Sequence, residues 1–141
     1  MIQEKSIYAI LDEIKPLNIL LVDEDMASQF IIAKSLANLG DNLDLCNSSE
    51  DALNRVTHKR YDLILVDLNL PIANGFELSK SLKSACQYRG GNPIIIGISG
   101  LDHPLLETLV KHSDIDDYVI RSVDYTELKD KIVNHCYLHL N

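Results

Sequence analysis

Four consecutive aliphatic residues, Leu63-Ile64-Leu65-Val66, lead without a polar break into Asp67. The run is too short for a comfortable helix and has no alternating polar face. It reads as a strand buried on both sides. Such strands occur in parallel sheets covered by helices, so the remaining segments must supply both helices and further strands. A carboxylate ending a central buried strand stands where open α/β sheets hold their ligands. Pro71 stops the strand, Asn74-Gly75 supplies a turn, and Phe76-Glu77-Leu78 opens a helical pattern. A strand-end aspartate is as readily a turn or helix cap, and only its companions elsewhere in the chain favour more.

The same signature recurs at Ile19-Leu20-Leu21-Val22, ended by Asp23-Glu24-Asp25, and at Ile94 to Ile98, ended by Ser99-Gly100. Leu43 and Leu45 alternate around Asp44, which suits a strand nearer an edge. Tyr118-Val119-Ile120 is a fifth strand, with Arg121 directly after it. Helical patterns fall between. The first runs from Met26 to Leu39, with Phe30, Ile31, Ala33, Leu36, Ala37 and Leu39 as its apolar face and Gly40 as terminator. Ser48-Ser49-Glu50-Asp51 starts a second, carrying Ala52, Leu53 and Val56. Phe76 to Tyr88, Pro104 to Lys111 and Thr126 to about Leu138 complete the series. Strands alternating with helices imply an α/β domain, a doubly wound parallel sheet with helices on both faces. Ahead of it, Ile7, Ile10, Leu11 and Ile14 recur at helical spacing before Pro16. The expected organisation is an amphipathic helical extension over residues 1–16 and one domain over 17–141.

A net charge of −8 disfavours direct nucleic-acid binding, which needs a basic face. Cys46, Cys86 and Cys136 are widely spaced in apolar contexts and read as small buried hydrophobes in a reducing compartment. His135 and His139 share a helical face but lack a third metal ligand. Glu4, Lys5, Asp12 and Glu13 interrupt the first apolar residues, so neither a signal peptide nor a membrane span is expected. The expected location is cytoplasmic.

Three strands thus end in Asp23-Glu24, Asp67 and Ser99, and in a doubly wound sheet such ends converge on one edge. Carboxylates meeting there repel one another unless a cation sits among them. Oxygen-only ligands favour Mg²⁺ or Ca²⁺, and Mg²⁺ keeps positions for water and phosphate oxygens. Ser99 is placed to donate to a phosphoryl oxygen, and Arg121 to neutralise charge.

In these motifs and their order, the chain from about residue 17 to 140 resembles a response-regulator receiver domain of two-component signalling. The most specific stretch is Tyr61 to Leu78, a strand-end aspartate followed by proline and glycine at the receiver spacing. The resemblance implies a flavodoxin-like five-stranded sheet of order 2-1-3-4-5, here with an extra N-terminal helix. It also implies roles. Asp67 is the phospho-acceptor, Asp23 and Glu24 are the acidic pair that holds Mg²⁺, and the Asn69 backbone carbonyl completes the metal site. Ser99 and Tyr118 are the switch pair. Arg121 and Ser122 stand where receivers carry lysine and proline. The peptide bond before Ser122 is expected to be trans, because cis without proline costs about 3 kcal/mol.

The function expected from this resemblance is phosphorelay signalling. A histidine kinase or histidine phosphotransfer protein phosphorylates Asp67, and the face of the fourth helix, fifth strand and fifth helix signals to a downstream protein or by self-association. The domain then assists only its own phosphorylation and dephosphorylation. The alternative is a degenerate receiver that docks without switching, which Arg121-Ser122 favours. A Mg²⁺-dependent phosphohydrolase fits less well, because the position two residues after the nucleophile holds Asn69 rather than an acid.

Overall fold

The computed structural model describes residues 16–37, 42–69 and 74–138. In chain order it contains β1 (Asn18–Val22), α1 (Met26–Ser35), β2 (Asn42–Cys46), α2 (Ser49–His58), β3 (Leu63–Asp67), α3 (Gly75–Tyr88), β4 (Ile94–Ser99), α4 (Leu106–Lys111), β5 (Asp117–Ile120) and α5 (Tyr125–Val133). A π-helical turn, Asn134–Leu138, continues α5. The N-terminal helix, the Gly40 terminator, Pro71 and His139 lie outside the described residues.

All strand pairings are parallel and the order is β2-β1-β3-β4-β5, as the resemblance implied. β2 is an edge strand, in keeping with its alternation. Successive side chains of β1 and β3 point to opposite faces. Leu20, Val22, Ile64 and Val66 meet Ala52, Val56, Leu78 and Leu82 of α2 and α3. Ile19, Leu21, Leu63 and Leu65 meet Ile32 and Leu36 at α1 and Leu128 and Ile132 of α5. Ile19 to Val22 and Leu63 to Val66 are all fully buried. Each contributes about 1.5–3 kcal/mol by leaving water, against about 0–1 kcal/mol for an exposed ion pair. The core therefore fixes where the strand ends lie.

Two local readings are corrected. In α1 the buried positions are Gln29 and Ile32, with Leu36 at the C-cap, while Phe30 and Ile31 are 68% and 49% exposed. The reason is polar. The Gln29 amide donates to the Asp23 carbonyl and, at 2.9 Å, to the Cys46 carbonyl, tying α1 to the ends of β1 and β2. A reading by apolar type alone turns that residue outward. At the other correction, Asn74-Gly75 is a helix start, not a free turn: Asn74 caps α3 by accepting from Glu77 N–H at 2.9 Å.

Cys46 and Cys86 are buried and Cys136 is half-buried, all as free thiols. Burial pushes Cys46 and Cys136 up to about 12. His135 pairs with a carboxylate: its Nε2 lies 3.0 Å from Asp117 Oδ2, and Lys131 Nζ lies 2.8 Å from Oδ1. Burial alone would raise the Asp117 carboxyl, but these hydrogen bonds outweigh it and hold the group below its ordinary value. A depressed carboxyl contributes stability that is present above the ordinary pKa of about 3.9 and is lost as pH falls through the lower folded value. Asp117→Asn should therefore lower the urea midpoint at pH 6 and have little effect near pH 2. Because the groups are partly exposed, the difference should be about 1 kcal/mol or less.

Candidate functional site

Asp23 directly follows β1, Asp67 is the last residue of β3, Ser99 ends β4, and Arg121 directly follows β5. The parallel register brings these ends to one edge of the sheet: Val22 pairs with Val66, Asp67 with Ile98, and Ser99 with Ile120. Asp23 is fully buried, and Asp67 and Ser99 are nearly so. Their shared partner is Arg121. Its Nη2 lies 2.8 Å from Asp23 Oδ2 and 3.6 Å from Asp67 Oδ2. Its Nη1 donates to Ser28 Oγ in the first turn of α1.

Each carboxylate is also held by the main chain. Asp67 Oδ1 accepts from Asn69 N–H at 2.9 Å, and Asp23 Oδ1 accepts from Asp25 N–H at 3.0 Å. Asp67 thus presents Oδ2 as its less constrained oxygen. Burial, reinforced by the nearby Asp23 charge, raises the Asp67 pKa above the usual carboxylate value against the opposing Asn69 hydrogen bond and Arg121 charge. Asp25, third of the acidic run, accepts from Ala27 N–H at 3.0 Å as the cap of α1. Glu24 is exposed and makes no side-chain hydrogen bond or ion pair among the described residues.

Gly75 lets α3 press on the end of β3. A Cβ there would stand 2.6 Å from both the Asp67 carbonyl oxygen and Leu68 Cα. This close approach gives the glycine in the Tyr61 to Leu78 motif a physical role beside Asp67.

Ser99 Oγ is turned into its own loop, donating to the Leu101 carbonyl at 2.7 Å and accepting from Leu101 N–H at 3.2 Å. Tyr118 is half-buried and packs against the cluster containing Leu106 and Val110. Lys131 Nζ donates to its carbonyl at 2.9 Å and sits 5.4 Å from its ring centroid. The Arg121–Ser122 peptide bond is cis, not trans. The expectation rested on the cost of an isolated bond and took no account of tertiary contacts. Here Arg121 N–H is fixed on the Ser99 carbonyl at 2.8 Å while its guanidinium is fixed on Asp23 and Ser28.

Reading strand ends brought Asp23, Asp67, Ser99 and Arg121 together but missed Ser28. Its position three residues past the α1 cap, on the turn nearest the site, is the only signal. Among the described residues no group of three or more His, Cys, Asp or Glu side chains forms a metal cage. Two buried carboxylates sharing one guanidinium nonetheless leave a net negative charge on hard oxygen donors. That chemistry suits Mg²⁺, which takes few protein carboxylates and retains water.

In sequence and in fold the chain is similar to known proteins. The family model for the response regulator receiver domain matches residues 19–133. The transcriptional regulatory protein PcoR of Escherichia coli is 25% identical over 114 residues, covering 81% of this chain and 49% of that protein. The CAI-1 autoinducer sensor kinase/phosphatase CqsS of Vibrio cholerae is 25% identical over 114 residues, covering 81% of this chain and 16% of that protein. The chain therefore spans half or less of these relatives. The CheY-like receiver domain protein of Methanospirillum hungatei superposes with a TM-score of 0.73 at 23% identity, over 86% of this chain and 94% of that one. A chain of the Saccharomyces cerevisiae co-crystal of the histidine phosphotransfer protein Ypd1 with the receiver domain of Ssk1 gives 0.78 at 21%, over 88% and 91%. Since the family match runs from β1 to the last residue of α5, the chain belongs to the response regulator receiver domain family.

Proposed function

We propose that this receiver domain takes a phosphoryl group from a phosphohistidine donor, a histidine kinase or a histidine phosphotransfer protein, onto Asp67. The observation that carries the reading is the state of the Asp67 carboxylate. One oxygen is anchored by a main-chain amide and the other faces only Arg121 at 3.6 Å. Burial makes the carboxylate more basic, and so a better nucleophile, than an exposed one. Oδ2 attacks phosphorus in line, a new O–P bond forms, and the P–N bond to the donor imidazole breaks with its electron pair returning to nitrogen.

The acidic pair Asp23 and Glu24, Asp67 and the Asn69 backbone carbonyl would hold Mg²⁺, Glu24 from its exposed position. When bound, Mg²⁺ supplies positive charge for the phosphoryl oxygens. Once acylation has added phosphoryl oxygens, Arg121 pairs with one of them, and Ser99 leaves the Leu101 loop to donate to another. Tyr118 lies beside α5 and α4 on the face that reports the change, to a downstream protein or to a second copy. Self-phosphorylation and self-dephosphorylation are the only chemistry assigned. No helix among the described residues is long and apolar enough to cross a membrane, and we assign the domain to the cytoplasm. The docking-only alternative has less support, since a buried acceptor and its acidic neighbour are retained.

The test is incubation with a small-molecule phosphodonor in Mg²⁺ or in EDTA, followed by intact mass. One added phosphoryl group is expected in Mg²⁺ only. A protein that stays unmodified in Mg²⁺, with both the small donor and a phosphohistidine protein, would sink the reading. Metal should also stabilise the fold. At free Mg²⁺ tenfold above its dissociation constant the gain is about 1.4 kcal/mol, read as a raised melting midpoint over EDTA that Asp67→Asn reduces.

A further inference from the structure

The Asp23–Asp67 pair already has a cation. Arg121 Nη2 contacts Oδ2 of both carboxylates, and the same guanidinium is braced on its other nitrogen by Ser28. The planar fork, always charged, is held from two sides. Asp23 is fully buried, its Oδ1 is engaged with Asp25 N–H, and its Oδ2 is the atom Arg121 occupies. A divalent cation entering between the carboxylates needs that oxygen, and two positive charges cannot share it at contact distance without strong repulsion. There is room for the guanidinium to leave. A surface cavity of about 160 Å³ adjoins it, lined by Ser28, Ile31, Ile32, Arg121, Val123 and Tyr125.

We propose that Arg121 is the resident counter-ion of the Asp23–Asp67 pair, and that it and the divalent cation compete for that pair, the guanidinium withdrawing into the adjoining cavity as the cation enters. The inference rests on the phospho-acceptor reading of the site and adds regulation to it. Metal occupancy becomes coupled to the loop between β5 and α5, and metal affinity is reduced by the fraction of molecules in which the clamp is closed. A clamp closed in nine molecules of ten weakens apparent affinity about tenfold.

The test is a Mg²⁺ titration of the full chain followed by NMR. Main-chain amides of Asp67 and Asn69 report the metal, while Arg121 Nε–H and the Val123 amide report the clamp. Wild type is expected to shift both sets with one midpoint, and Arg121→Gln to bind Mg²⁺ about tenfold tighter. Equal or weaker binding by Arg121→Gln, or no binding by either protein, overturns the proposal. Where Arg121→Gln does not fold, wild type decides: an Arg121 signal that stays still while Asp67 and Asn69 titrate overturns competition, and one that moves with them upholds it. Acyl-phosphate formation on the same samples is scored separately. Phosphorylation without competition leaves the acceptor reading standing, and competition without phosphorylation removes the acceptor reading alone.

Discussion

Gly75→Ala is expected to destabilise the domain by about 3 kcal/mol, the upper part of the range for overpacking a close contact. At this chain length that corresponds to a melting midpoint roughly 10 °C lower. The added methyl would lie 2.6 Å from the Asp67 carbonyl oxygen and 2.6 Å from Leu68 Cα, both backbone atoms that no rotamer change can move. Either α3 lifts from the sheet or the end of β3 shifts, and both displace the proposed acceptor. Gly90→Ala is the control. Gly90 has φ of 81° but its nearest neighbour is the flexible tip of Arg60 at 3.3 Å, so only a left-handed backbone cost of about 1 kcal/mol is expected. Equal losses for the two variants, measured by denaturant unfolding, would show that the α3–β3 contact yields easily.

Asp67→Asn is expected to abolish phosphoryl acceptance while leaving the protein folded and, in EDTA at neutral pH, at least as stable as wild type. The amide keeps an oxygen for Asn69 N–H. It removes a buried charge that burial and Asp23 disfavour, at the cost of one 3.6 Å approach to Arg121. Asp23→Asn makes the contrast, because it leaves Arg121 without its 2.8 Å partner in a fully buried position. The Arg121 side chain is 26% exposed and keeps Asp67 at 3.6 Å, so losing this charge-assisted bond costs about 2 kcal/mol. If Asp67→Asn proves the more damaging of the two, the division of roles between the carboxylates is reversed.

Much of this was legible in the residues. Buried strands announce themselves by unbroken aliphatic runs, and the polar residue ending each run is necessarily at the ligand edge of a parallel sheet. That logic found Asp23, Asp67, Ser99 and Arg121, while sheet order and the phosphoryl reading came from the receiver resemblance. What escaped depends on polar pairing across long sequence separations. Gln29 faces inward because two carbonyls await it, and Ser28 matters because Arg121 arrives from the other end of the chain. Neither partner is visible in local pattern. The cis bond before Ser122 belongs to the same class, since the contacts flanking it come from the end of β4, the residue after β1, and α1. Gly75 was visible as a residue but not as a contact: its role beside Asp67 appears only when α3 is laid on β3.

The central claim is that Asp67, and no other carboxylate at this edge, carries the phosphoryl group. Trapping the phosphorylated protein with borohydride converts an acylated aspartate to homoserine, and peptide mass spectrometry then locates it. Homoserine at position 67 alone, dependent on Mg²⁺, is the predicted result. Homoserine at position 23 or 25 with Asp67 intact would contradict the account.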